Sequence, residues 1–118
     1  MKNTYKIGTV LTDDAVINYA RCIHYSKMDF DEGNIVERIE KFSTYELREI
    51  NVEELEDPCH NIDEDLIQEY IQKRINEMPP LILGYYHDNS FMTIDGGHRT
   101  AILKELNRQK ALAFVGIK

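Results

Sequence analysis

Apolar positions along the chain fall into short runs of two different periods, and each run implies an element. Residues 4–10 (TYKIGTV) alternate well enough for a strand. Thr12-Asp13-Asp14 then offers a helix N-cap, and Ala15, Val16, Tyr19, Ala20 and Ile23 follow at helical spacing, which predicts a helix to about Tyr25. Residues 29–33 read as a loop, and Ile35, Val36, Ile39 and Phe42 imply a second short helix. Residues 45–52 (YELREINV) alternate apolar and charged side chains, the pattern of a half-buried strand. Residues 53–58 read as a turn or single helical turn. Asp63 is a fitting N-cap for a helix over 64–76, whose Leu66, Ile67, Tyr70, Ile71 and Ile75 form one face. Glu64 and Asp65 in its first turn and Lys73 and Arg74 near its last suit the helix dipole.

Pro79-Pro80 ends that helix. Residues 81–86 then read as a strand, His87-Asp88-Asn89-Ser90 as a hairpin turn and residues 91–94 as the returning strand. Gly96-Gly97 breaks the strand. Residues 98–106 predict a helix burying Ala101, Ile102, Leu103 and Leu106, with Asn107 as a left-handed C-terminal residue, and residues 111–117 predict a last strand. The expected class is α/β (α+β), a small mixed sheet with flanking helices.

Composition narrows this only a little. The 118 residues fit one domain. No run approaches the roughly 20 apolar residues of a membrane helix, and the polar start, Met1 to Lys6, does not read as a secretory signal. Cys22 and Cys59 lie far apart in no metal-ligand spacing, so free thiols and a cytoplasmic location are expected. Charge changes the picture more. The net charge is −7, with 16 acidic against 5 basic residues over 29–77 but 3 against 5 from Met78 onward. Such a chain does not attract nucleic acid by bulk charge. A phosphate contact must come from a local, shaped site, and the charge split favours the C-terminal third.

That third holds the candidate chemistry, in Asp95-Gly96-Gly97-His98-Arg99-Thr100. A strand runs into two glycines and then into a helix. Glycine permits positive φ and close approach of a ligand to the backbone. The free N–H groups of the helix start, with its dipole, favour an anion. Gly96, Gly97, His98, Arg99 and Thr100 are therefore the candidate phosphate-binding residues, with Arg99 able to fork two hydrogen bonds to phosphate oxygens. Asp95 is a candidate for holding magnesium, or for fixing the loop by hydrogen bonding, and Asp95 and His98 are the candidate catalytic pair. The competing structural interpretation is a tight strand-to-helix turn with Asp95 as N-cap and Arg99 on the surface. His60, His87 and His98 match no zinc spacing. Tyr85, Tyr86 and Phe91 suit either base stacking or packing on a sheet face.

Three segments in order, 50–58, 63–83 and 91–106, make the chain from residue 49 onward resemble the ParB/sulfiredoxin-like superfamily. The string Ile94-Asp95-Gly96-Gly97-His98-Arg99-Thr100-Ala101 carries the most specific part of the likeness. The resemblance divides the chain into an N-terminal extension, 1–48, and a ParB/sulfiredoxin-like domain, 49–118. It implies a nucleotide (ATP, ADP or CTP) with magnesium at the glycine turn. Gly97 stands where sulfiredoxins place a catalytic cysteine before the His-Arg pair, so sulfinic-acid reduction is not expected. Gly97-His98-Arg99 keeps only the final arginine of the corresponding ParB turn. In kinase-like members an acidic general base lies near the first turn, and Glu56, Asp57, Glu64 and Asp65 are all candidates. The leading expectation is a nucleotide-binding domain with NTP hydrolysis or phosphoryl transfer. The alternatives are a non-enzymatic plasmid- or phage-type regulator or inhibitor docking a protein partner through residues 29–69, and a ParB-like nuclease.

Overall fold

In a computed structural model the described residues are 5–24, 32–56, 65, 68 and 79–117, the side chains of 23–24, 32–34 and 97–98 excepted. Among the described residues, five strands and three delimited helices follow one another: β1 (Val10–Thr12), α1 (Asp13–His24), α2 (Glu32–Ile39), β2 (Thr44–Asn51), a 3-10 turn (Val52–Glu54), β3 (Leu81–Tyr85), β4 (Phe91–Asp95), α3 (Gly97–Glu105) and β5 (Lys110–Gly116). The strands form one sheet in the order β1-β2-β5-β3-β4. Among these strands only β3 and β5 pair in parallel. The class expected from the sequence is thus observed, and the 48/49 division falls inside β2.

Burial on two faces explains the run of apolar residues in the central strands. Ile82 and Phe114 enter a core with Val16, Ile17, Tyr19 and Ala20 of α1, Ile39 of α2, and Tyr45 and Leu47 of β2. Their neighbours Leu81, Leu83, Ala113 and Val115 enter a second core, with Ile50, Val52, Leu55 and Leu103 of α3. A strand covered on both sides has no polar face to show, so β3 and β5 lack the alternation seen in β2. Phe42 closes the first face. Its ring lies over Gly84 and Gly116, one position beyond the Leu83–Val115 pair on both strands, and a Cβ at either glycine would sit 2.7 or 2.6 Å from a ring carbon. The Tyr45 hydroxyl donates to Ile39 O at 2.6 Å, satisfying a carbonyl at the end of α2.

The first strand differs from the expected one. Residues 7–8 form a turn, so the first strand occupies Val10–Thr12 rather than 4–10. The backbone still follows β2, as Gly8 N–H donates to Leu47 O and Leu47 N–H to Thr9 O. Thr12 Oγ1 accepts from Ala15 N–H at the start of α1, as an N-cap should. Of the helix expected over 64–76, only Asp65 and Gln68 lie within the described residues, and both are helical and exposed.

Candidate functional site

The hairpin before the glycine turn forms as its composition dictates. Asp88 Oδ1 accepts from Ser90 N–H and Ser90 Oγ, which holds its carboxyl below the usual carboxylate range, and Asn89 takes a φ of 68°. β4 then runs back along β3 to Asp95. At Gly96 φ is 124°, and a Cβ there would lie 2.5 Å from Leu81 Cδ2. Both conformation and space therefore demand glycine at this corner. Gly96 is the N-cap of α3 and supplies no side-chain cap. The first-turn amides of Gly97, His98 and Arg99 precede any intrahelical acceptor. Thr100 N–H is the first to find one, on Gly96 O at 2.8 Å. Thr100 therefore does not offer its amide to a ligand. Its side chain is 1% exposed, and its hydroxyl has no hydrogen-bond partner among the described residues.

Arg99 lies inward, against the expectation that it reaches out to phosphate. It is 5% exposed. Its Nη1 donates to Pro79 O at 3.0 Å and to Pro80 O at 2.6 Å, and its Nη2 to Asp95 Oδ2 at 3.1 Å. The physical reason is the pair of carbonyls that the Pro79-Pro80 lead-in aims at the start of α3. A buried carbonyl needs a donor, and a planar fork four residues after Asp95 satisfies three acceptors at once. Asp95, 7% exposed, is thereby tied to the guanidinium and lies inside the corner rather than facing solvent. Pro80 O also accepts from Tyr19 Oη at 2.7 Å, which joins α1 to the same junction.

The remaining candidates scatter. Glu56 is engaged at the edge of the sheet, Oε1 accepting from Thr93 N–H of β4 and Oε2 from Tyr86 Oη, both at 2.8 Å. That carboxylate covers one outward donor of an edge strand. Tyr85 and Phe91 pack on each other at 5.6 Å, and Arg48 Nη1 donates to Tyr85 Oη, so these rings serve the sheet face. His87 is exposed on the hairpin and Cys22 is a free, exposed thiol. The side chain of His98, and Asp57, Cys59, His60 and Glu64 entirely, lie outside the described residues. Among the described residues no group of three His, Cys, Asp or Glu is placed to hold a metal ion, and no helix is long and apolar enough to cross a membrane.

Sequence reasoning missed the Pro79 and Pro80 carbonyls and the Tyr19 hydroxyl. Backbone acceptors leave no trace in residue type. The one legible signal was the four-residue spacing of Asp95 and Arg99. No protein-family model matches the chain, and no curated protein matches it.

Proposed function

We propose that the chain binds a nucleotide (ATP, ADP or CTP) through a phosphate group seated on the backbone amides of Gly97, His98 and Arg99. The observation that supports this reading is the helix start itself: α3 opens directly from a glycine corner whose N-cap residue, Gly96, has no side chain to cover the first turn. In this reading the Arg99 guanidinium is a brace. Its bonds to Pro79, Pro80 and Asp95 hold the corner rigid, and rigidity lowers the ordering cost of binding. Magnesium enters as the counter-ion of the nucleotide phosphates. Hydrolysis or phosphoryl transfer, with His98 beside the phosphate, would rest mainly on positioning and charge neutralisation.

Calorimetric titration with ATP, ADP and CTP, with and without magnesium, tests the proposal. Saturable binding is expected, and Gly97→Pro should weaken it about tenfold or more. Proline is tolerated at the first helical position and removes one amide donor to a charged ligand. Absence of binding by every nucleotide at about 1 mM, an affinity worth only ~4 kcal/mol, overturns the proposal. Salt-dependent capture of a basic protein without nucleotide would instead favour an interaction module acting through its acidic residues.

A further inference from the structure

A cavity of about 230 Å³ lies at the end of the sheet where β5 begins, lined in part by Leu81, whose side chain also packs beneath Gly96. Its apolar lining includes Pro79, Pro80 and Leu103, all buried. Among the described residues, Arg108 and Lys110 also line it, with Glu49 of β2 as the one carboxylate. Two cations against one anion make this described lining positive in a chain whose net charge is −7.

The parts are held in place by specific bonds. Asn107, at a φ of 55°, ends α3 in a left-handed turn, with its N–H on Lys104 O and the Arg108 N–H on Leu103 O. This is the paired hydrogen bonding of a Schellman cap, and it fixes where Arg108 leaves the helix. The Arg108 guanidinium has no hydrogen bond or ion pair among the described residues, whereas Lys110 Nζ donates to Asn51 Oδ1. Pro79 and Pro80 are clamped through their carbonyls by Arg99 and Tyr19. A rigid apolar floor beside an unengaged guanidinium suits a ligand with an apolar body and one anionic head.

We propose that this cavity is a ligand site for a small amphipathic anion, with an apolar body on Pro79, Pro80 and Leu103 and a carboxylate or phosphate head on Arg108. Size favours a single ring, since a cavity of ~150 Å³ already holds benzene. Benzoate and phenyl phosphate are therefore the probes, with benzyl alcohol carrying the ring alone and acetate and inorganic phosphate carrying the heads alone. Amide chemical shifts of the full chain are followed by NMR during each titration. Saturable shifts at Leu81, Leu103, Ala111 and Leu112 are expected for benzoate or phenyl phosphate. Their apparent Kd should be in the low millimolar range and rise about fivefold in Arg108→Gln.

Whichever of benzoate and phenyl phosphate binds more tightly identifies the head group. Equal binding of benzyl alcohol, or shifts that rise linearly without saturation, overturns the site. So does an unchanged Kd in Arg108→Gln. Should that variant not fold, Lys110→Gln and the head-group selectivity of the unmodified protein decide the same question. Shifts confined to residues 96–99 would place the anion on the α3 amides and refute the cavity without touching the nucleotide proposal.

Discussion

Replacing Arg99 by methionine separates a brace from a ligand. The change removes three hydrogen bonds, two to the Pro79 and Pro80 carbonyls and one to Asp95, in a place where water cannot substitute freely. It also takes the guanidinium away from a carboxylate that is 7% exposed. Breaking one side of a buried pair typically costs about 3–5 kcal/mol, against a total stability of about 5–15 kcal/mol for a domain. With a urea slope of roughly 1.5 kcal/mol/M, the midpoint should fall by about 2–3 M. Urea unfolding followed by circular dichroism measures this. Arg99→Lys keeps the charge but loses the planar fork, so it should lie between the two. Adding Asp95→Asn to Arg99→Met should recover about 1–3 kcal/mol, because the buried negative charge that faced the guanidinium is gone. A surface arginine reserved for phosphate would behave otherwise, with a cost within about 0.5 kcal/mol. If Arg99→Met lowers stability by less than about 1 kcal/mol while abolishing nucleotide binding, the inward-facing role is refuted.

Two further outcomes follow from the core. Burial, with a smaller contribution from the charge of Asp13, pushes the Tyr45 phenol above its ordinary value, so the folded chain keeps a proton that the unfolded chain releases. The resulting stability is complete below about pH 10 and falls as pH rises above it. Alkaline denaturation should therefore be less steep in Tyr45→Phe, and an unchanged profile would contradict the assignment. Gly116→Ala should cost about 1–3 kcal/mol in thermal or urea unfolding, because its Cβ would meet the Phe42 ring at 2.6 Å. Phe42→Leu in the same chain should relieve part of that cost, and no relief would show that the ring is not what forbids the side chain.

Periodicity alone determined most of the elements. The alternation over residues 45–52, the helical spacing over 13–24 and the Asp88-Asn89-Ser90 turn each encode a local geometry in residue type, and β2, α1 and the hairpin form accordingly. The Asp-Gly-Gly corner was equally legible, since positive φ at Gly96 is a property of the backbone that residue type largely dictates. Tertiary structure decided the direction of Arg99. The string Asp95 to Arg99 is compatible with a guanidinium facing out to an anion or in to the protein. The choice rests on two proline carbonyls, 19 and 20 residues earlier, that packing carries beneath the start of α3. Packing likewise set the order β1-β2-β5-β3-β4 and joined Glu49, Pro79 and Arg108 in one cavity. Sequence patterns report which face of an element is apolar. They do not report which distant backbone acceptor will need a donor once water is excluded, and that need is what turned the arginine inward.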